Sequence, residues 1–288
     1  MSIDREHFFT STDKYEKKLD GSLAGRTFRL AMDNGAEYEL RFVTGEIVEW
    51  RMPGQTLRWE KYGAEKVDDK TTFVASVLGF TKINTCVTLV LDEENSLVTM
   101  AISRMGLYPL RPRLVDVEFI FGAIRVMNQP LPYKRHCFTS DLLGKQISWH
   151  YSTDFINTQI YTEGRYYRIR PLQQATTASV VAQQSMDDKE RAAGTRPEKM
   201  LYEEPARYIK IKDGIYLVSF IEENMNKVEF DRGGNNLMLL INAKEGFDVG
   251  RTFSLNREQK LEHGLMKAWG EFTDEDVEMA HEPTPYRV

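Results

Sequence analysis

The stretches "TGEIVEWRM" (44–52) and "EGRYYRIRP" (163–171) share one pattern: a Gly, then six residues that mix β-branched or aromatic side chains with charges. Each reads as a strand entered through a tight turn, because β-branched and aromatic residues fit a pleated surface and Gly supplies the turn. Whether the likeness is chance or a duplication is decided by the flanks.

Upstream lie "LAGRTFRLAMDNGAEYELRF" (23–42) and "LLGKQISWHYSTDFINTQIY" (142–161). Both open Leu-x-Gly-basic: Leu23, Gly25 and Arg26 against Leu142, Gly144 and Lys145. Both continue as a short apolar–polar alternation, a turn rich in Ser, Asp and Asn, and a second alternating run. Period-two alternation broken by turn residues is the pattern of half-buried antiparallel strands. Downstream, "EKVDDKTTFVAS" (65–76) matches "IKIKDGIYLVSF" (209–220), with turns at Asp68–Lys70 and Lys212–Gly214. "CVTLVLDEENSLVTMAIS" (86–103) matches "NLMLLINAKEGFDVGRTF" (236–253), with turns at Asp92–Ser96 and Asn242–Phe247. Two β units of about 110 residues therefore repeat along the chain, an internal duplication.

The bulk composition bounds the function. With 288 residues, 41% apolar and 28% charged, the chain can bury two ordinary cores. A net charge of −5 and a pI near 5.7 argue against nucleic acid as a partner, which needs a basic face. No apolar run reaches the roughly 18 residues of a membrane span, and the N-terminus has no apolar signal region. Two cysteines, Cys86 and Cys137, make no disulfide framework, and the expected compartment is the cytoplasm.

Two segments break the repeat. "LQQATTASVVAQQSMDDKERAAGTRPEKMLYEEPA" (172–206) is an insertion with little strand character, read as a loop or a lid over a barrel mouth. Near the C-terminus, Leu261, Leu265 and Ala268 or Trp269 recur at helical spacing. They predict a short helix over Arg257–Trp269 whose apolar face packs on a barrel or on a partner subunit, as in a homo-oligomer.

Many short antiparallel strands joined by hairpins, with almost no helix, predict closed or nearly closed β-barrels, whose lumens can hold a small ligand. At this point the sequence resembles the MoaF family (molybdenum cofactor biosynthesis protein F). "LAGRTFRLAMDNGAEYELRF", "GEIVEWR" and "VTLVLDEENSLVTMAIS" look like its N-terminal half. "LLGKQISWHYS", "IYTEGRYYRI", "DGIYLVSFIEE" and "INAKEGFDVGRTF" look like its C-terminal half. The resemblance implies an all-β fold of two tandem antiparallel calycin-like (lipocalin-type) barrels, residues 1–130 and 131–288. Related calycin-like barrels include phenolic acid decarboxylases, which do acid–base chemistry on an aromatic substrate. One departure stands out: where the family places a Glu-His pair, this chain has Thr158-Gln159, while the family's later glutamate survives as Glu222.

No local motif names a chemistry. The five histidines, His7, His136, His150, His263 and His281, have no zinc-site spacing, so no metal is expected. Nucleotide loops and a serine-hydrolase elbow are absent from the sequence, and no cofactor is expected. What remains is strand-borne. Trp149 and Tyr151 share one strand face and His150 the other; Asn157, Gln159 and Tyr161 share a face, as do Tyr216, Val218, Phe220 and Glu222. Aromatic walls with an Arg fork suit a phenolic or carboxylated aromatic ligand. The candidate acid–base groups are Glu222, His150 and Tyr161, and the candidate substrate contacts are Trp149, Tyr151, Tyr167, Arg168 and Tyr216. The expected function is a cofactor-free lyase or isomerase acting on a small aromatic, lignin-like molecule by proton transfer in a lumen. The alternative is a non-catalytic barrel that binds a small molecule or assists cofactor biosynthesis.

Overall fold

Both halves start with the same local device. Leu23 and Leu142 are fully buried, and Gly25 and Gly144 each take φ of 78°, a left-handed turn that side chains with a Cβ resist. The Gly25 amide donates to Phe42 and the Gly144 amide to Tyr161, at 2.7 and 2.9 Å. The entry turn thus locks the first strand of each half against the end of its second.

The computed structural model describes residues 22–77, 84–106, 115–152, 155–162, 165–171, 199–222, 234–255 and 261–272. Strands β1 (Thr27–Met32), β2 (Glu37–Phe42), β3 (Ile47–Arg51), β4 (Arg58–Lys66), β5 (Thr71–Val77), β6 (Thr85–Asp92), β7 (Leu97–Met105) and β8 (Val115–Ile124) form a closed antiparallel barrel, shut where β1 meets β8. A connection follows, and β9 (Cys137–Phe138). The second sheet contains β10 (Gln146–Ser152), β11 (Phe155–Thr162), β12 (Arg165–Pro171), β13 (Lys199–Lys212), β14 (Ile215–Ile221), β15 (Gly234–Asn242), β16 (Phe247–Leu255) and β17 (Leu261–Phe272). Its neighbours run β12-β11-β10-β17-β16-β15-β14-β13-β9, and β12 also pairs with β13, which brings the sheet round on itself.

The two halves correspond strand for strand in order, β10 to β17 repeating β1 to β8. Turn chemistry follows suit. Asp92 ends β6 and accepts from the amides of Glu94 and Asn95; Asn242 ends β15 and accepts from those of Lys244 and Glu245. Leu91 pairs with Val98, and Ile241 with Asp248, at the same point of each hairpin.

Two expectations need correction. Residues 261–272 form strand β17, which pairs with β10 and β16. No helix is present among the described residues, so none is long and apolar enough to cross a membrane. The helical spacing arose because β17 carries apolar side chains on both faces. Met266 and Ala268 point into the second lumen, while Leu265 and Trp269 pack between the barrels. Alternation blurs when both sides of a strand are apolar. Likewise, residues 199–206 of the supposed loop belong to β13; positions 172–198 lie outside the described residues.

Three cores result. Phe28, Leu30, Leu40, Phe42, Leu89 and Met100 fill part of the first lumen. Trp149, Tyr161, Tyr208, Phe220 and Leu239 fill the second. A third core joins the barrels through Phe73 and Val90 on one side and Leu217, Leu240 and Phe247 on the other. The interface is also polar. Arg251, fully buried, donates to Thr88 Oγ1 (2.9 Å), the Asn236 carbonyl (2.8 Å), Asn236 Oδ1 (2.7 Å) and Ser103 Oγ (2.7 Å). Nearby His263 is held neutral by burial and then by the Arg251 charge, its pKa down to about 3. Asn242 Nδ2 crosses to the Val67 carbonyl, and His136 of the connection bonds Thr99 Oγ1 at 2.7 Å.

Replacing Arg251 with Met should strand buried oxygens on Thr88 and Asn236. Each unsatisfied group costs about 1–3 kcal/mol, so urea unfolding should show stability lower by about 2–4 kcal/mol. An unchanged midpoint would mean the network contributes nothing net.

Candidate functional site

The first lumen takes its side chains from alternate residues. On β2, Tyr38, Leu40 and Phe42 turn inward. Their neighbours turn outward: Glu39 accepts from Arg29 and Arg51 at 3.0 and 2.8 Å, and Arg41 faces Glu49 at 3.6 Å. These partners hold the Glu39 carboxyl below the usual range. The next strand adds Val48 and Trp50. On β4, Arg58, Glu60 and Tyr62 share the inward parity, and the outward Trp59 is 54% exposed.

These strands surround a cavity of about 240 Å³. Its wall is apolar: Leu40, Phe42, Val48, Val74, Leu89 and Met100 among others. Tyr38, Trp50, Gln55 and Arg58 supply its polar atoms. The rings of Tyr38 and Trp50 lie 6.4 Å apart. Trp50 Nε1 is buried and, among the described residues, has no hydrogen-bond partner. Glu60 is buried on the same face of β4 as Arg58.

The second lumen differs because its sequence does. With Leu23 matched to Leu142, Leu30 becomes Trp149, Met32 becomes Tyr151 and Phe42 becomes Tyr161, so larger rings take these positions. The Trp149 ring sits so close to Gly270 that a Cβ there would lie 2.5 Å from it. Polarity also enters: Tyr38 becomes Asn157, Leu40 becomes Gln159 and, by the hairpin match, Val98 becomes Asp248. Trp149 Nε1 donates to Tyr161 Oη (3.1 Å), which donates to Gln159 Oε1 (2.8 Å). Tyr161 and Tyr208 meet edge to face at 5.8 Å.

Asp248 is the outlier. It is fully buried, and among the described residues neither oxygen reaches hydrogen-bonding geometry with a partner. Burial pushes its carboxyl well above the usual range; the Ala268 backbone N–H, close but short of that geometry, offsets little of this. The Asn157 amide is likewise buried without a partner. Burial raises the Tyr161 phenol too, and Asp248 adds to that electrostatically.

The residues singled out from sequence fall into three groups. Trp149, Tyr151, Tyr161 and Tyr216 all lie in the second core. Glu222 is buried at its end and accepts from Asn235 Nδ2 at 2.8 Å; continuing the register of Ala206 with Phe220 sets it opposite the buried Glu204. His150 turns away from the lumen, with Nε2 3.7 Å from Glu271 on the outer face. The Tyr216 hydroxyl reaches out to Asp141 at 3.3 Å. Tyr167 and Arg168 pair in the ladder with Ile160 and Gln159; their side chains lie outside the described residues. Sequence reading missed Asp248, Trp50, Arg58 and Glu60. The available signal was parity: "RWEKY" places charges on the face shared with Tyr62, and "FDVGR" puts an acid opposite Phe247 and Val249.

Among the described residues, no group of three or more His, Cys, Asp or Glu is placed to hold a metal ion. Residues 8–106 match the family model for the MoaF N-terminal domain, a span that ends with β7. No curated protein matches the chain.

A carboxyl kept protonated by burial costs stability as pH rises. Below the unfolded pKa near 4, Asp248 is neutral in both states and costs nothing; above it only the unfolded chain ionises. Asp248→Asn should therefore gain stability over the native protein from about pH 4 upward, by up to about 1.4 kcal/mol per pH unit. Urea denaturation of both proteins between pH 4 and 8 measures this; parallel curves would contradict it.

Proposed function

We propose that this chain, whose residues 8–106 match the MoaF N-terminal domain, binds a small aromatic molecule in the lumen of the first barrel. The carrying observation is the cavity of about 240 Å³ with apolar walls and few polar fixtures. An apolar cavity of about 150 Å³ holds benzene, so this one has room for a ring bearing a short chain. Tyr38, Phe42 and Trp50 offer flat faces, and ring–ring contacts add about 0.5–1.5 kcal/mol beyond burial.

The test fills the cavity. Leu89 and Met100 both line it, and Met100→Trp places a large side chain inside. The native protein should bind members of a hydroxycinnamate and arylalkyl panel in calorimetry, and Met100→Trp should lose that binding by tenfold or more while still folding. Equal binding by both proteins would place the ligand elsewhere.

A second reading, a lyase or isomerase, is favoured by Asp248 in the other lumen. A carboxyl whose affinity for its proton burial raises is a candidate proton donor to a substrate, and positioned acid–base groups contribute roughly 10²–10⁴-fold in rate. Tyr161 would orient the substrate; Glu222, six residues along β14 from the level of Asp248, sits at the other end of that lumen. Products from the same panel, followed by mass spectrometry, should form with the native protein. Turnover should fall by about 10²-fold or more in Asp248→Asn, with folding intact. A panel that is bound but never converted leaves the binding reading in place and removes this one.

A further inference from the structure

Arg58 is the exception among the arginines of the first barrel's described strands. Arg29, Arg41, Arg51 and Arg104 all face carboxylates on the outer surface. Among the described residues Arg58 has no such partner, and it is the sole charged residue lining the cavity. It is exposed, so its charge sits at the mouth rather than in the core.

Its neighbour sharpens the picture. Arg58 pairs directly with Trp50 across β3 and β4. Directly opposite residues on one face have Cβ atoms about 4.5–5.5 Å apart. Trp50 Nε1 is a buried donor with no acceptor among the described residues, and indole nitrogen can only donate. The register thus sets a guanidinium and an indole ring at neighbouring lumen-facing positions, and a ring wall begins beside them at Tyr38. Glu60, two residues along β4 on the same face, does not line the cavity.

We propose that the Trp50–Arg58 pair is an anion-reading subsite, so that the ligand of the first barrel is an aromatic acid: a ring in the apolar cavity and a carboxylate at the mouth. The proposal rests on the binding reading above and adds the ligand's charge. Arg58 supplies a fork of N–H donors that matches a carboxylate, and Trp50 adds a third donor on the buried side. A neutral amide of the same shape would present its own N–H groups to these donors and gain less.

The experiment uses the full chain and the neutral fluorophore N-phenyl-1-naphthylamine as reporter. It is displaced in parallel by 3-phenylpropanoate and by 3-phenylpropanamide at neutral pH. The carboxylate should displace it at about tenfold lower concentration than the amide. That preference should shrink as salt rises, because an exposed charge is screened. In Arg58→Met the ratio should fall to near one, and Trp50→Phe should reduce it in part. If the reporter binds and both displacers act equally on the native protein, the anion subsite is overturned while the binding reading stands. If neither reporter nor displacers bind, and Met100→Trp behaves like the native protein, the binding reading itself fails. An unchanged ratio in Arg58→Met, in a protein shown to be folded by its sheet spectrum, would also overturn the assignment.

Discussion

The guanidinium of Arg251 lies between two barrels with none of its surface in water, and the arrangement of the molecule depends on how it is satisfied. Its partners come from three strands: Thr88 on β6, Ser103 on β7 and Asn236 on β15. All are neutral. A buried cation needs either a counter-charge or several well-placed acceptors, and here it has acceptors. They are fixed only when the two sheets are in register with each other. The repeat equivalent of Arg251 in the first barrel is Ala101, a small residue within the joint apolar core. The same strand position therefore serves packing in one half and registration in the other.

Using one face of several strands for the joint core has a consequence for the lumens. Strands β5 to β7 and β14 to β16 are buried on both sides, which is why "TLVLD" and "YLVSFI" read as near-continuous apolar runs. The remaining strands carry the freedom to vary. In the first barrel, β2, β3 and β4 present outward salt bridges and an inward set that leaves space. In the second, β10 and β11 use the equivalent inward positions for Trp149, Tyr151 and Tyr161. Duplication thus yielded two lumens with different linings: the first apolar around a cavity, the second with larger rings and buried polar groups among its apolar side chains. Asp248 fits the second as a group that lowers stability where it stands, a trait usually retained for function rather than for folding.

Much of the fold was legible because hairpins are local. Asp92–Ser96 and Asn242–Phe247 turn where their residues say, since an Asp or Asn side chain can cap the following amides within the segment itself. The entry turns at Gly25 and Gly144 are equally local. The last strand was not legible. Leu261, Leu265 and Trp269 mimic a helical stripe because the neighbouring barrel covers one side of β17, a fact about three-dimensional neighbours. Within the candidate sites, the aromatic set of the second lumen was visible in the alternation of "QISWHYS" and "NTQIY". Its acidic member was hidden in a strand that looked like ordinary core.

The sequence by itself determined that the chain is duplicated, that it is built of antiparallel strands, where its hairpins turn, and that Trp149 and His150 lie on opposite faces of their strand. All of these follow from the two-residue period of a strand and the short reach of a turn. Only the tertiary structure decided which face looks inward. It also decided that the first lumen keeps a cavity lined by Arg58 and Trp50, and that, among the described residues, Arg58 has no carboxylate partner and Asp248 is buried without a hydrogen-bond partner. Those depend on closure and on the packing of one barrel against the other, which bring together residues more than a hundred positions apart, such as Thr88 and Arg251. No local pattern encodes which of two apolar faces will meet a partner.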